Sequence, residues 1–162
     1  MEKMMMFHVP EDEALLAAFG ELTLRHEHLN HILRMTIKTL ANLDVNEALG
    51  ATAYVGSSKL RDRIRKLAKQ RLGEGQALLR LEAIVERCRQ ATEKRNDYVH
   101  SVVAKELDGE PRRRSTDHSW QPVPTTPELK SLSADIRMLT RELNDARLEG
   151  FLAQALSKRP CG

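Results

Sequence analysis

The chain has 162 residues, of which 41% are hydrophobic and 30% are charged, so it can bury the core of one folded domain and is not a disordered chain. Aromatic residues make up only 4%, and the dominance of Leu, Ala, Arg, Glu and Lys favours helices over strands. The net charge of +3 permits a polyanionic partner such as RNA without requiring one.

The sequence carries no feature that predicts export or membrane insertion. The first residues, MEKMMMFHVP, are too short an apolar stretch for a signal peptide, and no run of about 18 apolar residues occurs. Cys88 and Cys161 fit a reducing compartment better than a disulfide framework. We therefore expect a cytoplasmic protein.

A long amphipathic helix is predicted from Pro10 to about Asn42. Proline followed by three acidic residues is typical of a first turn, and apolar residues then recur at steps of three and four. The predicted buried stripe consists of Leu15, Phe19, Leu22, His26, Leu29, Leu33, Ile37 and Leu40. A short helix should follow over residues 44–50, with Asp44 as its cap and Gly50 at its end.

Two further helices are predicted on either side of Gly73. The first begins at Ser57 or Ser58, and its outer face is crowded with basic residues in the run RDRIRKLAKQR. That run is interpreted as a solvated helix face, with a surface that follows an RNA backbone as the alternative. The second helix begins near Gly75 and reaches Val99.

Residues 105–125 predict a long polar loop, because proline, glycine and charged residues replace the apolar period, with room for a short extended piece around Trp120. The last helix is predicted from Thr126 past Gly150 to about Leu156, and residues 158–162 form a predicted tail. Four main helices and one short extra helix predict an all-α antiparallel bundle, one domain over residues 1–157.

The stretch RNDYVH, residues 95–100, places polar groups on the third long helix. Asn96 and His100 are four residues apart, so they share a helix face and their side chains can form a hydrogen bond. Arg95 lies about 140° around the helix from His100, but its long side chain can curl towards the imidazole. A histidine that exchanges protons beside a guanidinium that holds a pentavalent phosphate suits metal-free RNA cleavage.

The spacing of Arg95 and His100 is not specific by itself. Arg113 and His118 have the same spacing, but they lie in the predicted loop and no amide follows the arginine. Arg25 and His31 fit a looser spacing and also lack the amide. The position on a core helix and the asparagine after the arginine distinguish the stretch RNDYVH.

On these residues the chain resembles the HEPN superfamily, whose hallmark is an arginine, four to six intervening residues and a histidine, usually with a polar residue after the arginine. The resemblance implies a helical bundle that dimerises and brings two copies of the motif together in a cleft. It also implies that His100 is the acid and base, that Arg95 binds the phosphate, and that Asn96 orients the histidine or the RNA. Many members are metal-independent ribonucleases, and others are inactive dimerisation or ligand-binding modules.

Four further residues are candidates for substrate binding: Tyr98, Arg112, Arg113 and Arg114. Tyr98 would line the cleft or simply fill the core. The three arginines would contact RNA, with Trp120 stacking a base, or they would belong to a charged surface loop.

Simpler interpretations exist for the motif residues themselves. His100 would be a partly buried histidine satisfied by Asn96, and Arg95 would form an ion pair with Glu93 or Asp97. His28 and His31 are expected on the solvated surface, and no zinc site is predicted with them or His26.

The sequence therefore predicts a homodimeric, metal-independent endoribonuclease of HEPN type that needs no cofactor, in a toxin–antitoxin or defence setting. RNA is the expected substrate, and an antitoxin or a regulatory protein is a further candidate partner. The main alternative is a catalytically inactive HEPN-like interaction module. A basic DNA-binding protein is a weaker alternative, because no helix-turn-helix stands out.

Overall fold

Six α-helices and four short β-strands form the regular structure of residues 4–158, which are the residues that the computed structural model describes. In chain order they are β1 (Met6–Phe7), α1 (Glu13–Ala41), α2 (Val45–Ala51), α3 (Ser57–Leu72), α4 (Gln76–Val99), β2 (Val102–Lys105), β3 (Arg112–Arg114), β4 (Trp120–Pro122), α5 (Thr126–Leu148) and α6 (Phe151–Ser157). None of these helices combines the length and the apolar content that a bilayer crossing requires. The predicted tail beyond Lys158, with Cys161, lies outside the described residues.

Helix α1 begins three residues later than Pro10, because Asp12 caps it. The Asp12 carboxylate accepts hydrogen bonds from the backbone N–H groups of Ala14 at 2.9 Å and Leu15 at 3.2 Å. The helix ends at Asn42, which adopts a left-handed conformation with φ 54°. The predicted apolar stripe of α1 is confirmed: most of it is buried, and Leu15 and Phe19 pack at its edge.

The starts of α2 and α5 and the end of α3 follow their sequence signals closely. Asp44 and Glu47 form a capping box at the start of α2, and Thr125 and Glu128 form another at the start of α5. Helix α3 ends at the predicted Gly73, which adopts a positive φ of 63°.

The four long helices pack as a bundle around one apolar core. Helix α1 lies along α5 and α3, and α4 packs on α3 and α5. The largest fully enclosed side chains include Leu22, Leu29, Leu33, Leu60, Ile64, Leu81, Leu129, Ile136 and Leu143. The chain is therefore mostly helical, as the sequence predicted.

The prediction of one continuous last helix is wrong at Gly150. Helix α5 stops at Leu148, and the N–H groups of Glu149 and Gly150 both donate to the carbonyl of Asp145, at 3.1 and 2.9 Å. Helix α6 then begins at Phe151 and packs against α5, α4 and α3. The apolar pattern continues through Leu152 and Leu156, so hydrophobic spacing alone did not reveal the break.

The prediction of a purely α-helical chain is also wrong. The predicted polar loop over residues 105–125 contains the unpredicted strand β3, whereas β4 is the short extended piece predicted around Trp120. Strands β1 to β4 form an antiparallel sheet in sequential order, and β3 and β4 lie within the segment predicted as loop. Val102 pairs with Arg114, and Arg114 pairs with Trp120. The sequence of β3 lacks the alternating apolar residues that predict a strand, because Arg113 rather than a hydrophobic side chain occupies its buried position.

Gly150 should be intolerant of a side chain, because a Cβ atom there would lie 2.9 Å from the Cα of Ala146. We expect Gly150→Ala to lower the free energy of unfolding by about 1–3 kcal/mol, measured by urea denaturation. Gly20→Ala is the matched control, because Gly20 lies within α1 and a Cβ there meets nothing within 4 Å. That substitution should stabilise the protein by about 0.5–1 kcal/mol. Equal effects at the two glycines would contradict the close approach.

Candidate active site

The motif RNDYVH lies where α4 ends. Val99 is the last helical residue, and His100 is the C-cap, with φ −92°, ψ 4° and an N–H group that donates to the Asn96 carbonyl at 2.9 Å. The chain enters β2 two residues later. His100 still makes the last helical hydrogen bond, so its contact with Arg95 is made by the terminal nitrogen of the long arginine side chain.

Arg95 connects the three motif residues. Its Nη1 donates a hydrogen bond to Oδ1 of Asn96 at 3.0 Å and lies 3.1 Å from Nε2 of His100. This arrangement replaces the predicted direct bond between Asn96 and His100. A guanidinium can only donate, so Nε2 of His100 is the acceptor in this contact.

The two side chains differ in their access to solvent. Arg95 is buried, with 9% of its surface exposed, whereas His100 is exposed. Burial lowers the pKa of Arg95, and the nearby carboxylate of Glu27 partly opposes this effect. Nε of Arg95 has no hydrogen-bond partner among the described residues. A buried guanidinium with unused donors is an unsatisfied cation, which an anion beside it would stabilise.

A second histidine, His26 of α1, belongs to the same group. It is 3% exposed, and its Nε2 lies 3.1 Å from Oγ1 of Thr92 on α4. Burial, followed by the positive charge of Arg95 and smaller effects of Arg61 and His100, lowers the pKa of His26 to about 4, and Glu27 partly opposes this shift. The sequence placed His26 on the buried stripe but gave no sign that it faces the motif across the helix interface.

The carboxylates offered as partners for Arg95 are bound by other arginines. Glu93 pairs with Arg89, and Asp97 pairs with Arg113 at 2.7 Å. The interpretation of Arg95 as a surface ion pair is therefore not what the structure shows. His100 is likewise not a partly buried histidine satisfied by Asn96, since it is exposed and contacts Arg95.

Asp97 fastens the sheet to the end of α4. Its Oδ2 accepts from Nη1 of Arg113, and its Oδ1 accepts from the hydroxyl of Ser115 at 2.8 Å and the backbone N–H of Thr116 at 3.1 Å. Partial burial alone would raise the pKa of Asp97, but the hydrogen bonds from Ser115, Thr116 and Arg113 together lower it below its usual range. The carboxylate is therefore held in its charged form.

The three candidate arginines of β3 do not act together. Arg113 is buried, contacts Asp97, donates to the Pro122 carbonyl at 3.1 Å and lies 5.1 Å from the ring of Tyr98. Its guanidinium is therefore committed to the protein interior, and half-buried Tyr98 packs beside it. Arg112 and Arg114 alternate with Arg113 along the strand, so they point to the opposite, exposed face of the sheet.

Arg114 is the exposed arginine of β3 that the register brings nearest to His100. Its strand partner is Val102, which follows His100 by two residues. Two residues span at most about 7 Å, and paired Cα atoms are about 5 Å apart, so the Cα atoms of Arg114 and His100 lie within about 12 Å. A long arginine side chain can cover most of that distance.

The remaining histidines lie apart from this group. His118 occupies the exposed turn between β3 and β4 with φ 67°, so the second Arg-x4-His spacing is split between a buried arginine and a surface histidine. His28 and His31 are exposed, as the sequence predicted. Within residues 4–158, no three His, Cys, Asp or Glu side chains form a group that could hold a metal ion.

Comparison with known protein families finds no family model that matches this chain. Comparisons with curated proteins and with solved structures also find no match. At the end of α4, a buried guanidinium contacts both an amide and an exposed imidazole, and this chemistry is the basis for a function.

Asp97 should be important for stability. We expect Asp97→Ala to lower the free energy of unfolding by about 2–4 kcal/mol, because it leaves the buried guanidinium of Arg113 without its carboxylate. Asp108→Ala removes an exposed carboxylate from the turn between β2 and β3. This substitution should change the free energy of unfolding by less than about 0.5 kcal/mol. Urea denaturation of both variants measures the difference. A loss of similar size in both variants would argue against the attachment of the sheet to α4 by Asp97.

The stability of the protein should also decrease as the pH falls, because of His26. The pKa of this histidine is about 6.5 in the unfolded chain and about 4 in the folded protein, so the unfolded state binds more protons between these values. Above pH 6.5 His26 is neutral in both states and does not lower the free energy of unfolding. As the pH falls from 6.5 towards 4, the free energy of unfolding decreases by up to about 3 kcal/mol.

Urea denaturation between pH 4.5 and 7 tests this expectation. His26→Gln should flatten the pH dependence, because glutamine cannot be protonated but can still contact Thr92. His28→Gln, which removes an exposed histidine two positions away, should leave the slope of the wild type. An unchanged slope in His26→Gln would refute the assignment.

Proposed function

We propose that the protein is a metal-independent endoribonuclease of the HEPN type, with Arg95, Asn96 and His100 as its catalytic residues. The observation that carries the proposal is the contact of the buried Arg95 guanidinium with Asn96 and with Nε2 of the exposed His100, at 3.0 and 3.1 Å. The resemblance of RNDYVH to the HEPN motif and the mostly helical bundle support the same function.

In this reaction the ribose 2′-oxygen attacks the neighbouring phosphorus, and the bond from phosphorus to the 5′-oxygen breaks. His100 takes the proton from the 2′-hydroxyl, because histidine is the side chain best suited to proton exchange near neutral pH. Arg95 turns its donors from His100 to the pentavalent phosphate, which frees Nε2 of His100 to act as the base. The products carry a 2′,3′-cyclic phosphate and a 5′-hydroxyl.

The leaving 5′-oxygen needs a proton that the same imidazole cannot supply while it acts as the base. In the homodimer that the HEPN resemblance implies, the second copy of the motif faces the same cleft, and its histidine, in the protonated imidazolium form, gives its proton to the 5′-oxygen. Asn96 holds Arg95 in place through its Oδ1, which keeps the guanidinium directed at the end of α4.

RNA contacts outside the motif come from exposed basic residues. Arg114 lies within reach of the motif and Arg112 shares its face of the sheet, so both can contact phosphates of the bound strand. Arg113 contributes indirectly, because its contacts with Asp97 position the sheet that carries the other two.

The decisive experiment compares RNA cleavage in EDTA by the wild type and by His100→Ala, with analysis of the product ends. We expect cyclic phosphate ends from the wild type and a rate at least about a hundredfold lower for the variant, because general acid–base catalysis is lost. His118→Ala is the matched control, since it removes the histidine of the second Arg-x4-His spacing and should cleave normally. Intact RNA with the wild type, across structured and unstructured substrates, would refute the ribonuclease.

Arg95→Lys tests the second role. Lysine keeps the charge but cannot contact Asn96 and a phosphate in the fork geometry of arginine, so we expect a loss of about a hundredfold or more in kcat. The unfolding transition of the variant provides the control for folding. Cleavage at the wild-type rate would remove Arg95 from the mechanism.

The alternative function is a catalytically inactive HEPN-like interaction module, and one observation favours it. The sheet and the turn after β2 expose several large apolar side chains, namely Phe7 at 90% and Val102 at 46% in strands and Leu107 at 76% in the turn. The register places Val102, Arg114 and Trp120 side by side on one face. Exposed apolar residues of this kind are typical of a protein interface, either between two copies or with an antitoxin or regulatory protein.

A further inference from the structure

A cleft of about 570 Å³ lies beside the candidate active site. Its lining comprises Tyr54, Gly56, Ser57, Ser58, Lys59 and Arg61 on one side and Thr92, Glu93 and Asn96 of α4 on the other. Asn96 also accepts the hydrogen bond from Arg95, so the cleft and the candidate active site share this residue. The mechanism above does not use the rest of the cleft.

The start of α3 forms one wall of the cleft and has no side-chain cap. Gly56 is the N-cap, and the residues whose N–H groups lack an intrahelical acceptor, Gly56 to Lys59, all line the cleft. The hydroxyl of Ser57 donates to Oδ1 of Asn30 on α1 at 2.5 Å, so it is directed away from the helix end. Free N–H groups and the positive end of the helix dipole favour an anion here.

Arg61 provides an independent sign of a missing anion. It lines the same cleft and is only 6% exposed, and its Nε and Nη1 have no hydrogen-bond partner within residues 4–158. Burial, followed by the nearby charge of Arg65, lowers the pKa of its guanidinium, and the charges of Asp62 and Glu93 partly oppose this effect. A buried cation with unused donors is costly, and a phosphate oxygen in the cleft would satisfy it.

Among the described residues, the acidic residue of the lining forms no ion pair with Arg61, although its charge acts on that guanidinium. Glu93 is exposed and forms its ion pair with Arg89 on the same helix. Lys59, at the rim, is also exposed and adds a further positive charge. The lining is therefore arranged for an external anion.

Tyr54 stands at the edge of the cleft in an unusual conformation. It has a φ of 60°, which is uncommon for a bulky residue, and its side chain is fully exposed. Backbone strain of this kind persists where the surrounding structure requires it, and an exposed ring next to an anion site can stack on a nucleic-acid base.

We propose that this cleft binds the phosphate of a nucleotide through the N–H groups at the start of α3 and Arg61, with the base stacked on Tyr54. In the ribonuclease it is the subsite for a phosphate next to the one that is cleaved, a role that rests on the proposed function. Phosphate binding itself does not depend on cleavage, so the two can be tested separately.

The first test follows the backbone amide signals of residues 56–59 and the Nε–H signal of Arg61 by NMR while inorganic phosphate is added. We expect these signals to shift in the wild type and in His100→Ala. Gly56→Asp should abolish the shifts, because its carboxylate caps α3 and repels phosphate. This variant should fold normally, since a Cβ at Gly56 meets nothing within 4 Å.

The second test measures the affinity of His100→Ala, which cannot cleave, for a fluorescent single-stranded RNA. Adding Arg61→Met should weaken binding by at least about tenfold without lowering the melting temperature, because it removes a buried, unpartnered charge. Lys66→Met is the matched control, since it removes one exposed positive charge from the same helix. A similar effect of both substitutions would show only general charge attraction and would overturn the subsite.

Titration with AMP separates the role of the base from that of the phosphate. Tyr54→Ala should weaken AMP binding by about fivefold or more while the response to inorganic phosphate stays the same. An absence of shifts with both probes in the wild type would overturn the cleft as a phosphate site. Clear shifts in a protein that leaves RNA intact would instead refute the ribonuclease and retain a nucleotide site.

Discussion

The attachment of Asp97 to the sheet is the interaction on which the candidate active site depends. Asp97 belongs to the last turn of α4, and the groups that bind it, Arg113, Ser115 and Thr116, all come from β3 and the turn after it. The carboxylate thus fixes the direction in which the chain leaves the helix. His100 lies between these two anchored parts, so the position of its imidazole depends on a contact that neither His100 nor Arg95 makes.

The interface between α1, α3 and α4 contains more positive charge than its own carboxylates neutralise. Arg61 and Arg95 are both buried and retain guanidinium nitrogens without partners among the described residues, while His26 remains neutral between them. Burying such groups opposes folding. The four long helices and their apolar core supply the stability that offsets this cost.

Sequence patterns predicted the four long helices, the cap of α2 and the position of the motif on α4, because hydrophobic period and capping residues are local signals. They did not predict the sheet, since its strands have two to four residues and the buried position of β3 holds Arg113. His26 and Arg61 were also not recognised as neighbours of the motif. Their roles depend on how helices pack across the bundle, and spacing along one helix carries no such information.

Strand β1 has a consequence for how the protein folds. Strands β2, β3 and β4 follow each other closely and pair as neighbours, so they can assemble once that short stretch of chain collapses. Phe7 of β1, however, pairs with Ala104, almost a hundred residues away, and joins the sheet at its edge. Closing so long a loop costs entropy that only an assembled bundle can repay. We therefore expect β1 to dock last, and the edge of β2 to stay open to another strand until it does.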